Sequence, residues 1–138
     1  MVSESQSRAE VMKVLDRLNE ALAAKDVDGV MKLFVPDERL VVFATEERGR
    51  IVGAAAYRAH LEAEFARADN ASFKINWSSV SVSPPIAWVA ADVTLKVLVK
   101  KTNKNATLPA RWTLVLENRQ GKWLIAQSHL SAAMQHSV

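Results

Sequence analysis

SFKINWSSVSVSPPIAWVAADVTLKVLV, residues 72–99, decides the fold. Its apolar side chains recur at every second position, which is the period of a strand and not of a helix. In the first half, Phe73, Ile75 and Trp77 are odd-numbered while Val80 and Val82 are even-numbered. The parity therefore changes near Ser78 and Ser79, where an extra residue, a β-bulge, would restore alternation. Pro84 and Pro85 supply a turn, and residues 86–99 return as a second long strand.

Downstream the same period continues. Residues 107–117 predict a third strand and residues 122–131 a fourth, with NRQG turning the last hairpin. Upstream the period is helical. Ser7 and Glu10 read as a capping box, and Val11, Val14, Leu15, Leu18 and Leu22 follow at three- and four-residue steps, predicting a helix over residues 8–24. Asp26 caps a second short helix with the apolar face Val27, Val30, Leu33 and Phe34, which Pro36 ends. LVVFA at 40–44 and Ile51–Val52 form a small hairpin. After Gly53, Tyr57, Leu61 and Phe65 share a face of a third helix, with Glu64 beside them, ending near Asp69 and Asn70.

The order contains no repeated strand–helix–strand alternation, so a parallel doubly wound sheet is not expected and the class is α+β. Three N-terminal helices pack on a curved, bulged antiparallel sheet, and a sheet bent around helices forms a half-open cone with an interior. Residues 1–138 are expected to form one domain, within the usual ~100 to 200 residues.

Composition narrows the function classes. With no cysteine, disulfides, thiolate metal sites and a cysteine nucleophile are excluded. MVSESQSRAE lacks the basic and apolar regions of a secretory signal, and no apolar run approaches the ~20 residues that span a bilayer, so a cytoplasmic protein without membrane contact is expected. The net charge of +3 is small, and its densest stretch, Lys96, Lys100, Lys101 and Lys104, is expected to protect a sheet edge. Nucleic acid is not an expected partner. No nucleotide-binding or triad motif exists, no cofactor is expected, and three histidines without H-x-H or H-E-x-x-H spacing predict no metal site.

Both faces of the long strands are apolar. Trp88, Ala90, Asp92 and Thr94 alternate with Val89, Ala91, Val93, Leu95 and Val97, and Trp112, Leu114 and Leu116 alternate with Thr113 and Val115. Three helices cover one face, so a second copy of the chain is expected on the other, as a homodimer.

ALAAKDVDGVMKLFVPD, IVGAAAYRAHL and above all GKWLIAQSHLS resemble the SnoaL-like branch of the nuclear transport factor 2-like superfamily. The resemblance runs over residues 8–132 and implies the cone, with helices roofing a pocket. The superfamily hosts unrelated chemistries and non-enzymes, so the fold alone assigns no activity. Ketosteroid isomerase resembles this chain in fold, but its tyrosine, base and second acid fall at Leu18, Val42 and residues 111–113, where none of the three is present. The arginine-lined pocket of the calcium/calmodulin-dependent kinase II association domain falls on Ala90, Leu114 and Leu130, which carry no charge. The resemblance thus implies an apolar cavity with Tyr57 on its wall.

Candidate ligand-binding residues are Tyr57, Leu61, Trp88, Trp112 and Leu114. Asp92, mid-strand and placed by face with Trp88 and Trp112, is either a general base in a dry pocket or a carboxylate paired structurally or left in water. Tyr57 is either a hydrogen-bond donor to a ligand or a packed side chain with its hydroxyl at the rim. His129 and Arg111 have bland readings, as a satisfied histidine and a surface ion-pair partner, and His60 and His136 are expected to be exposed. Three functions follow: a domain binding a small hydrophobic or amphipathic molecule, a lyase or isomerase with Asp92 as base and Tyr57 as donor, or an oligomerisation scaffold.

Overall fold

The computed structural model describes residues 3–46, 48–99 and 101–133, so Lys100 and His136 lie outside the described residues. The elements are α1 (Glu4–Ala23), α2 (Val27–Met31), β1 (Val41–Phe43), β2 (Arg50–Val52), α3 (Ala54–Arg67), β3 (Ala68–Ser83), β4 (Ile86–Val99), β5 (Lys104–Arg119) and β6 (Lys122–Ala132). No helix among the described residues is long and apolar enough to cross a membrane.

α1 begins a turn earlier than its sequence suggests. Ser3 is the N-cap, its hydroxyl accepting from the Gln6 amide at 3.1 Å, and Ser7 is buried within the helix instead of capping it. The buried stripe Val11, Val14, Leu15 and Leu18 keeps the helical spacing and turns α1 onto the sheet. Asn19 fixes where it lies. Its side-chain amide donates to the Phe73 carbonyl and its carbonyl accepts from the Phe73 amide, both at 2.9 Å, so a helix side chain satisfies one residue of edge strand β3.

The six strands form one unclosed, curved sheet in the order β2-β1-β6-β5-β4-β3. It is not antiparallel throughout, because β1 runs parallel to β6, with Val42 opposite Ser128. That pairing joins the small hairpin to the last strand and completes the wall opposite α1. The lysine-rich β4–β5 connection guards no edge, since both strands are interior; Lys96, Lys101 and Lys104 are instead exposed near the tip of a long hairpin.

Two register shifts decide which side chains face the helices. Between β3 and β4, Ile75 pairs with Val93 and Trp77 with Asp92, so Asn76 is the additional residue, ahead of the expected Ser78–Ser79. Between β5 and β6, Leu116 pairs with Ile125 and Val115 with Gln127, which makes Ala126 additional. Phe73, Val89, Ala91, Val93, Trp112, Leu114, Leu116 and Ile125 are buried beneath the helices together with Leu15 and Leu18. Truncating a fully buried leucine such as Leu15 in such a core costs about 2–5 kcal/mol.

Candidate functional site

α3 reaches the core through Gly53, whose φ of 93° lets the chain turn from β2 directly into the helix. This turn sets Tyr57, Leu61 and Phe65 along one face, opposite Leu18 and Leu22 of α1. Between the two helices and the sheet lies a cavity of about 250 Å³. Its sheet wall comprises Phe73, Leu95, Val97, Trp112, Ser128 and Leu130, and β1 closes one side with Val42 and Phe43.

Ring contacts fix the walls. Phe34 and Tyr57 lie with centroids 4.7 Å apart, and Phe73 meets Trp112 edge to face at 5.0 Å. Trp112 is held further by its indole Nε1, which donates to Ser128 Oγ at 2.8 Å in a buried hydrogen bond. Ser128 still has its own proton to offer. Tyr57 is only 8% exposed, yet none of the hydrogen bonds among the described residues involves its hydroxyl. Burial, and then the nearby Glu64 carboxyl, pushes its phenol well above the ordinary tyrosine value. It therefore remains a neutral donor.

The mouth is polar. Glu46 enters from the β1–β2 turn, which Ala44 closes by donating its amide to the Gly49 carbonyl at 2.9 Å. A Cβ on Gly49 would sit 2.4 Å from the Ala44 carbonyl oxygen, so this tight turn requires glycine. His60 and Glu64 come from α3, one turn apart, with Nε2 and Oε1 separated by 3.6 Å. Arg67 approaches Glu64 at 2.6 Å and Glu46 at 3.5 Å. Burial, and then the hydrogen bond to Glu46, raises the Glu64 carboxyl above its usual range, while that same hydrogen bond holds Glu46 below it.

The candidates read from the sequence divide between two faces. Tyr57, Leu61 and Trp112 line the cavity, and Leu114 is buried on the same face of the sheet beyond it. Trp88 and Asp92 do not line it. Ala91 is the register partner of Trp112, whereas Asp92 pairs with Arg111, so the face expected to carry Trp88, Asp92 and Trp112 together does not exist. Asp92 is exposed, Trp88 is 48% exposed, and Asp92 and Tyr57 share no cavity. His129 points outward with Gln127 because the additional residue Ala126 moves Ser128 and Leu130 to the inner face. His60, expected to be exposed, is half-buried at the mouth.

Glu46, Ser128 and the meeting of His60 with Glu64 were not read from the sequence. The four-residue step from His60 to Glu64 is its one local signal; Glu46 and Ser128 join them only through tertiary structure. Leu18 and Val42, onto which the isomerase's tyrosine and base fall, do line the cavity, with apolar side chains. A second, larger groove of about 750 Å³ lies on the far side of α1, rimmed by charges of both signs such as Glu10, Lys13, Arg17 and Lys122. Such a rim is a solvated surface, and the apolar cavity is the better candidate site.

Comparison with known proteins agrees with this architecture. The model of a SnoaL-like domain matches residues 11–135. A Xanthomonas campestris protein provisionally assigned as a calcium/calmodulin-dependent protein kinase II association domain is 27% identical, with a TM-score of 0.81 over 97% of this chain and 91% of that one. A Novosphingobium aromaticivorans protein provisionally assigned as a scytalone dehydratase is 18% identical, with a TM-score of 0.84 over 96% of this chain and 89% of that one. A nuclear transport factor 2 superfamily protein from Salmonella enterica has a TM-score of 0.84 at 15% identity, over 97% of this chain and 96% of that one. No curated protein matches the sequence.

Proposed function

The chain belongs to the SnoaL-like domain family, and from that premise we propose that it binds a small hydrophobic or amphipathic molecule in the cavity between α1, α3 and the sheet. The observation that carries this reading is a cavity of about 250 Å³, lined mainly by apolar side chains, on whose wall the Tyr57 hydroxyl has no hydrogen-bond partner among the described residues. A ligand oxygen at this point would give that hydroxyl the acceptor it lacks within the protein. The occupant has an apolar body against Leu61, Phe73 and Trp112 and an acceptor, a carbonyl or hydroxyl oxygen, toward Tyr57 and Ser128.

A lyase or isomerase reading in which Asp92 removes a proton beside Tyr57 has no support from their placement on different faces. The isomerase set is also absent, its tyrosine and base positions being Leu18 and Val42. A scaffold role needs no cavity, and the cavity favours binding.

The domain is also proposed to work as a homodimer, with a second copy covering the outer face of β3–β5. Support comes from Trp77 and Trp88, 56% and 48% exposed on that face, where Asp92 and Arg111, of opposite charge, continue the row of Trp77 across β4 and β5 and suit reciprocal contact across a two-fold axis.

Titration with anilinonaphthalene sulfonate, an amphipathic aromatic probe, tests the binding reading. One saturable site per chain is expected, and Leu130→Trp, which fills the cavity, removes it. Undiminished probe binding by a folded Leu130→Trp chain would refute the assignment.

A further inference from the structure

We propose that Glu46, His60 and Glu64 form a site for one divalent transition-metal ion at the mouth of the cavity. His60 and Glu64 are four residues apart on α3, so their side chains stack on one face of the helix, and Glu46 meets them from the β1–β2 turn. One ligand atom from each of the three lies within 4.8 Å of the others, and His60 Nε2 stands 3.6 Å from Glu64 Oε1. Metal bonds of roughly 2.0–2.2 Å to imidazole and carboxylate leave neighbouring ligand atoms about that far apart, so a modest inward movement of Glu46 closes the shell. Glu46 has a half-exposed side chain, so a rotamer change suffices to make it.

The donor set selects the ion. One imidazole and two carboxylates suit zinc, manganese or iron(II); calcium and magnesium prefer all-oxygen shells, and soft ions prefer sulfur. Two carboxyls with oxygens within 4.8 Å of each other favour a cation between them. Arg67 supplies charge from one side, but its side chain is 63% exposed and an exposed ion pair is weak. It is a weak competitor for an ion held by three ligands.

A second observation comes from within. The same cavity is lined by Tyr57, a residue only 8% exposed whose hydroxyl has no hydrogen-bond partner among the described residues. Three protein ligands leave coordination positions open on the cavity side, where water or an oxygen of the occupant can complete the shell and meet that hydroxyl. The inference rests on the geometry of the mouth and does not depend on what the cavity holds.

Calorimetric titration of the chelator-treated full chain with zinc chloride, and separately with manganese chloride, tests it. One ion per chain is expected. His60→Ala and Glu64→Gln should each weaken binding by at least the roughly 10- to 100-fold that loss of an outer-shell partner costs, whereas Arg67→Gln, which removes the competing cation, should tighten it. Circular dichroism establishes that each variant is folded, and if either helix variant is not, Glu46→Gln on the turn carries the same expectation. Absence of saturable uptake of both ions, uptake unchanged in the folded ligand variants, or weaker binding in Arg67→Gln overturns the proposal.

Discussion

Ala91 and Asp92 are chain neighbours with opposite surroundings. Ala91 lies under the helices opposite Trp112, one wall of the apolar cavity, while Asp92 lies outside between Arg111 and the exposed Trp77. The two faces of the sheet have similar apolar content but different cover. On the inner face α1 and α3 cover the sheet, and polar groups there, such as the Tyr57 and Ser128 hydroxyls at the cavity, become informative because they are expensive to bury without a partner. On the outer face a carboxylate and a guanidinium are ordinary. A carboxylate in a strand therefore carries functional meaning only once its face is known.

The largest effect that could break this contrast is on stability. Trp112→Ala should cost about 3–5 kcal/mol in urea denaturation, because it removes a buried ring, its edge contact with Phe73 and the hydrogen bond to Ser128. Trp88→Ala should cost far less in the isolated chain, and equal losses would erase the distinction between the faces. Next, Trp77→Ser combined with Trp88→Ser should convert a dimer to a monomer by light scattering while leaving probe binding intact; a dimer that survives both changes places the interface elsewhere.

A smaller effect sharpens the inner face. Tyr57→Phe should weaken a ligand that accepts its hydrogen bond by about 0.5–1.5 kcal/mol, a few-fold to roughly tenfold in affinity, with thermal stability almost unchanged because the hydroxyl holds nothing else. Asp92→Asn should change neither quantity. The smallest effect belongs to neither face. The Asp37 carboxyl is held below the usual aspartate range, first by the hydrogen bond from Arg119 at 2.7 Å and then by the Arg39 amide. Its folded state holds the proton less tightly than the unfolded chain does, so the stabilisation is present above the ordinary aspartate value and is lost as pH falls through the lowered one. Asp37→Asn should therefore lower the melting temperature slightly at neutral pH and have no effect in strong acid.

Much of the fold was legible because periodicity is local. The stripe of α1, the Tyr57–Leu61–Phe65 face of α3 and the alternation within β4 and β5 all follow from side-chain direction along one element. Register between elements is not local. Nothing in residues 86–99 indicates whether Ala91 or Asp92 stands opposite Trp112, and that single step decided which of the candidate residues line the cavity. Asn76 and Ala126, the additional residues beside the core, have no glycine or proline next to them as a mark, so only the change in parity announced the first and nothing announced the second. The meeting of Glu46 with His60 and Glu64 needed the β1–β2 turn to fold back on α3, and the parallel pairing of β1 with β6 needed the whole sheet.

Native mass spectrometry of gently purified protein tests the central claim, that the inner face encloses a ligand site, most directly. The wild-type chain and the Trp88→Ser chain should both carry the same discrete small-molecule mass, and the cavity-filled Leu130→Trp chain should carry none. An added mass that persists in folded Leu130→Trp, or that disappears in Trp88→Ser alone, would contradict it.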